Sequence, residues 1–144
     1  MPTSLRDLYI EELQDLYSAE GQIIDTLPQM SAAATTPDLK RAFEEHLEQT
    51  RVQRERLELI FKALGKRPGD QLCAGMESLL NEGRERLRQD GPGDVKDAAL
   101  IAAAQRVDNL PFGRVEILQF LDVQVPQRCG HQWLLQGVTE FRPW

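Results

Sequence analysis

Glu20 and His46 are the two residues whose types and placement point most directly to chemistry. Each interrupts an apolar stripe. Tyr9, Leu13, Leu16, Glu20, Ile23 and Leu27 follow one another in alternating steps of four and three. So do Leu39, Phe43, His46, Thr50, Gln53, Leu57, Ile60 and Leu64. Such spacing marks the buried seam of a packed helix. Pairing the two stripes antiparallel, with Leu27 beside Leu39, sets Ile23 against Phe43, Glu20 against His46, Leu16 against Thr50 and Leu13 against Gln53. Burying a carboxylate, an imidazole, a hydroxyl and an amide costs free energy unless each finds a partner. Two readings follow. The layer is a hydrogen-bonded pair that fixes register at some cost in stability, or it is part of a metal site. Carboxylate-bridged two-metal centres in helix bundles draw glutamates and histidines inward from four helices, and this donor chemistry suits iron, manganese or zinc.

Two ligands do not hold a metal, so others would come from further helices. Asp108 is the best third candidate because it shares a face with Ile101 and Gln105; its plainer reading is a surface or capping residue. Gln49, one turn after His46, offers a weak oxygen ligand but reads more simply as an exposed glutamine. Cys129 and His131 lack the second pair that a zinc site needs. Cys73 reads as a packing residue. The sequence has no glycine-rich phosphate loop and no recognisable nucleophile motif.

The elements that would carry these residues are legible from their ends. Ser4 caps a first helix, with Asp7 three residues on, and that helix ends near Met30. Thr36 and Pro37 open a second helix, which runs to Leu64 and stops at Gly65. Exposed pairs of Arg51 with Glu55 and Arg54 with Glu58 support it. Two long helices joined by a short loop pack antiparallel. A shorter helix spans about residues 71–88, and Asp94 caps a fourth that covers "VKDAALIAAAQRVDN".

The text changes after Asn109. Pro111 is expected to end the helix, and Val115 to Val125 alternates like a strand. Both tryptophans, Trp133 and Trp144, lie in this segment, which has no lysine. The expectation is a helical domain over 1–109 and an atypical ending over 110–144, from divergence or from a shift of reading frame. The net charge of −6 argues against nucleic acid as a partner. No apolar run reaches the roughly 18 residues of a membrane span. Neither a signal peptide nor a disulfide framework is apparent, so the cytoplasm is the default compartment.

The segments "DLYSAEGQIIDTLPQM", "LKRAFEEHLEQT", "LCAGMESLLNE" and "VKDAALIAAAQRV" resemble the YciE/YciF family of bacterial ferritin-like proteins, in the right order over about residues 5–109. The resemblance implies an all-α, ferritin-like (rubrerythrin-like) antiparallel bundle, commonly dimeric, associated with stress and suspected of binding metal. It implies no particular reaction. Glu20 and His46 stand where the family has the same residues. Gln49 stands where the family usually has glutamate, Asp108 and Asn109 where it commonly has Glu-His, and Pro111 at a second glutamate. The leading expectation is a stress-response protein with a depleted two-metal site of iron or manganese, held by Glu20, His46 and Asp108. It would work as a homodimer or larger homo-oligomer. The alternative is a non-enzymatic, self-associating helical protein whose Glu20–His46 layer is structural only.

Overall fold

The structure, a computed structural model, describes residues 2–120, with side chains to residue 107. It contains four helices: α1 (Leu5–Ala33), α2 (Pro37–Leu64), α3 (Ala74–Leu87) and α4 (Gly93–Phe120). No strand occurs among the described residues, and the expected all-α antiparallel bundle is what forms. α1 packs chiefly against α2 and α3 chiefly against α4, and α1 also touches both α3 and α4, which joins the two pairs.

The caps act largely as the sequence suggests. Ser4 Oγ accepts from the Asp7 backbone N–H at 3.1 Å, and Ser4 and Thr3 both donate to Asp7 Oδ2 at 2.8 Å. Those hydrogen bonds hold the Asp7 carboxyl below its ordinary value. α1 runs one turn past Met30, to Ala33, and carries Pro28 inside it. α2 ends at Gly65, whose φ of 64° is a left-handed conformation that a residue with a Cβ adopts only with strain. α3 is shorter than the expected 71–88, and α4 begins at Gly93, one residue before the expected cap Asp94.

Thr36 precedes α2 but makes no capping bond with its side chain. Asp97 of α4 serves instead. Its Oδ1 accepts from the Thr35 N–H at 2.7 Å, and its Oδ2 from the Thr36 N–H and the Thr35 hydroxyl at 2.9 Å each. One carboxylate thus ties the α1–α2 connection to the first turns of α4.

The expectation that Pro111 ends the helix is corrected, because α4 continues through it to Phe120. An interior proline costs about 3 kcal/mol through a lost hydrogen bond and a steric clash. A long helix whose earlier turns are anchored in the core tolerates that loss, as α1 tolerates Pro28. Residues 115–120, read as strand, are helical; short apolar runs fit either period, and length and context decide between them. The rest of the expected atypical ending, residues 121–144, lies outside the described residues.

The Asp97 clamp has a pH signature. The hydrogen bond from Thr35 is the leading cause of a carboxyl pKa below the ordinary 3.8. A depressed folded-state pKa gives stability that is fully present above the unfolded value and lost as pH falls through the folded one. Asp97→Asn is therefore expected to melt below the parent at pH 7. Thermal melts from pH 7 down to pH 2 should show that difference shrinking once the pH drops below 3.8.

Candidate functional site

The buried stripe of α1 is the expected one: Tyr9, Leu13, Leu16, Glu20, Ile23 and Leu27 are all buried. On α2 the buried residues are Phe43, Thr50, Leu57, Ile60 and Phe61. These side chains sort into two apolar clusters. One gathers Ala19, Ile23, Leu27, Met30 and Phe43 with Cys73, Met76, Leu80, Leu100 and Val107. The other gathers Tyr9, Leu13 and Leu16 with Leu57, Ile60 and Phe61. Between Leu16 and Ile23 on α1 lies Glu20, only 6% exposed. Between Phe43 and Leu57 on α2 lie His46, half-buried, and Thr50, fully buried. Along both helices these polar residues fall between the members of the two clusters, as the antiparallel pairing of the stripes expects. Thr50 Oγ1 donates to the His46 carbonyl at 2.9 Å, satisfying its hydroxyl within α2. Glu20 and His46 are each engaged in an interaction as well.

Gln53 departs from the expected seam and is exposed. The alternating pattern averages 3.5 residues per turn, whereas a helix turns every 3.6, so the inward face drifts by about 20° per heptad. After Thr50 the inward position passes to Arg54, and Phe61 joins Ile60 in the core. Arg54 does not pair with Glu58. Its guanidinium carbon lies 4.4 Å from the centroid of the Tyr17 ring, while the Tyr17 hydroxyl donates to Glu58 Oε1 at 2.9 Å. Tyr17 also meets Phe61 edge to face, with ring centroids 6.0 Å apart. Arg51 pairs with Glu48 at 3.5 Å rather than with Glu55.

On α4, among the residues whose side chains are described, Asp97, Leu100, Ala103 and Val107 are buried. Ile101 and Gln105, whose face was the reason for choosing Asp108, are exposed. The side chain of Asp108 lies outside the described residues, as do Cys129 and His131. Gln49 is exposed. No group of three or more His, Cys, Asp or Glu side chains is placed to hold a metal ion among the described residues.

A second polar feature escaped the sequence reading. Gln14, Ser18, Gln22 and Thr26 recur every four residues along one edge of α1. Gln14 Nε2 donates to the Arg67 carbonyl at 3.2 Å. Ser18 Oγ accepts the Cys73 N–H at 2.9 Å, and Gln22 Nε2 donates to the Cys73 carbonyl at 3.1 Å. Thr26 Oγ1 accepts from Arg84 of α3 at 3.3 Å. This ridge binds the α2–α3 crossover and sets the start of α3 against α1. Cys73 itself is fully buried in the larger cluster, as the packing reading expects. The i, i+4 spacing of four uncharged polar residues was the signal available in the sequence.

A family model described as a domain of unknown function, DUF892, matches residues 4–119. Protein YciF of Escherichia coli (strain K12) is 32% identical over 138 residues, which covers 95% of this chain and 83% of that protein. The chain belongs to the YciE/YciF family. The crystal structure of the E. coli stress protein YciF superimposes with a TM-score of 0.88 at 31% identity, covering 96% of this chain and 88% of that one. YcfI from Rhodopseudomonas palustris gives a TM-score of 0.82 at 34% identity, covering 95% and 85% respectively. The family match thus continues ten residues past Asn109, in step with the continuation of α4.

The ridge is testable apart from the polar layer. Ser18→Ala leaves the Cys73 N–H without its acceptor and is expected to cost about 1 kcal/mol. Hydrogen exchange should show the Cys73 amide losing protection before the amides of α1 do.

Proposed function

We propose that this chain is a stress-response protein of the YciF type whose α1–α2 polar layer binds a metal ion, iron or manganese, through Glu20 and His46. What supports the reading is a buried carboxylate on α1 and a half-buried imidazole on α2, each lying along its helix between residues of the two apolar clusters. Carboxylate oxygen and imidazole nitrogen suit these metals. The remaining ligands would come from α4 beyond Val107, Asp108 among them, and from water. The stress role rests on the likeness to E. coli YciF, whose crystal structure is described as that of a stress protein. No step of chemistry is assigned.

Protein purified from its native host is expected to contain iron or manganese near one equivalent per chain by mass spectrometry of the metal. Glu20→Gln combined with His46→Gln should lose that metal while keeping the helical circular dichroism. A metal-free protein whose melting temperature does not respond to chelators would overturn the metal reading, leaving the layer a register device.

The chain is further proposed to act as a dimer or larger assembly in the cytoplasm. Leu59, 65% exposed, and Val52 lie on α2 away from α1 and give a copy of the chain apolar surface to meet. Light scattering at micromolar concentration should report a mass above the 16.4 kDa of the monomer, and the monomer mass alone would refute the assembly.

A further inference from the structure

The connection between α3 and α4 carries the one aspartate of the chain that is followed by glycine, Asp90 before Gly91. Every other aspartate precedes a residue with a Cβ. Residues 88–92 lie outside both helices and are all exposed. On the α3 side the Gln89 N–H donates to the Arg86 carbonyl at 3.2 Å, and on the α4 side the Lys96 N–H donates to the Pro92 carbonyl at 3.0 Å. Between those two bonds, among the described residues, no hydrogen bond holds the Asp90 carboxylate or the Gly91 N–H. A Cβ added at Gly91 would meet nothing within 4 Å. Asp97 shows the opposite condition: its carboxylate is held by Thr35 and Thr36, and its own backbone is part of α4.

We propose that Asp90–Gly91 is a site of spontaneous isoaspartate formation in the folded protein. The Gly91 backbone nitrogen attacks Asp90 Cγ. A new N–Cγ bond forms, the bond from Cγ to one carboxyl oxygen breaks, and that oxygen leaves as water with the amide proton. The product is a five-membered succinimide. Water then opens the ring at one of its two carbonyl carbons. Opening at Cγ restores aspartate. Opening at the main-chain carbonyl gives isoaspartate, in which the chain runs through Cβ and Cγ and the former main-chain carbonyl becomes a free carboxylate. The water released in the first step is taken up in the second, so the sum is an isomerisation that needs no co-reactant. The attack requires a backbone rotation that a helix forbids and that an exposed connection permits. It also requires an unhindered amide, which only glycine supplies. The open space around Gly91 leaves room for the longer backbone of the product. The exposed new carboxylate is the group that a carboxyl methyltransferase using S-adenosylmethionine would recognise. This site is independent of the metal reading, since neither Glu20 nor His46 contributes to it.

The test ages the full chain at neutral pH and compares its proteolytic peptides with those of fresh protein. One new peptide containing Asp90 should appear, equal in mass to its parent but eluting apart from it, with a succinimide form lighter by one water. An isoaspartyl carboxyl methyltransferase supplied with labelled S-adenosylmethionine should label that peptide ahead of any other. Gly91→Ala should slow the conversion several-fold, and Asp90→Glu, which would have to close a larger ring, should abolish it. The aged protein should keep the helical circular dichroism of the fresh one. Absence of the new peptide, equal conversion at aspartates within the helices, or conversion only in urea-unfolded protein would overturn the proposal.

Discussion

α1 must satisfy three neighbours with one surface. A helix of 29 residues offers about eight turns, and the described fold uses nearly all of them. One stripe is apolar and closes against α2. An adjacent edge, stepping from Gln14 to Thr26 by fours, hydrogen-bonds the crossover and α3. Its C-terminal end runs into Thr35 and Thr36, which Asp97 of α4 holds. The constraint is strict because backbone groups in the crossover have no helix of their own. Buried N–H and C=O groups without partners cost about 1–3 kcal/mol each. The side chains of α1 remove that cost at Cys73 and so permit the chain to turn back against the helix there.

The polar layer follows from the same economy of surface. An apolar seam between two long helices is nearly indifferent to a slide of one heptad, since grease still meets grease. Glu20 changes that. Sliding α1 by seven residues toward the α1–α2 connection would place its carboxylate level with Leu39, beside Phe43. Burying an unpaired carboxylate there costs several kcal/mol. The layer therefore selects one register whether or not it binds metal, and the two apolar clusters on either side supply the stability that the layer gives up. A polar layer with both roles is physically coherent, because a site that must hold two donors in fixed positions gains from the same register that the donors enforce.

The sequence made the start of α1 and both ends of α2 legible because caps are local: Ser4, Pro37 and Gly65 act within a turn of where they stand. The burial of Glu20 and the half-burial of His46 were legible too, since periodicity alone selects the face. What escaped was of two kinds. The drift between 3.5 and 3.6 residues per turn moved the inward position from Gln53 to Arg54, an error that grows with distance from the loop used to set the register. The second kind was the partner chosen by a side chain with several options. Helical spacing offered Glu58 to Arg54, but tertiary packing brought the Tyr17 ring within reach of both, and the hydroxyl took the carboxylate. Asp97 is similar: nothing in its own helix shows that its acceptor oxygens serve a loop 61 residues away.

α4 sets the limit on what the layer can do. Asp97 stands level with Thr35 at one end of α1. An antiparallel helix with the same rise per residue reaches the level of Glu20 about fifteen residues later, close to Pro111. At that level a proline brings neither a charge nor a donor, and its missing N–H leaves one carbonyl of the preceding turn without its helical partner. A helix that completed a two-metal centre would bring a carboxylate or imidazole to that place. The nearest ionisable position on the N-terminal side is Asp108, about one turn away. α1 and α2 therefore set a carboxylate and an imidazole between two apolar clusters, while α4, which stays helical, brings a proline to that level. If the layer holds a metal as proposed, a proline at that level of α4 offers no side-chain ligand, so the donors of α1 and α2 carry more of the binding.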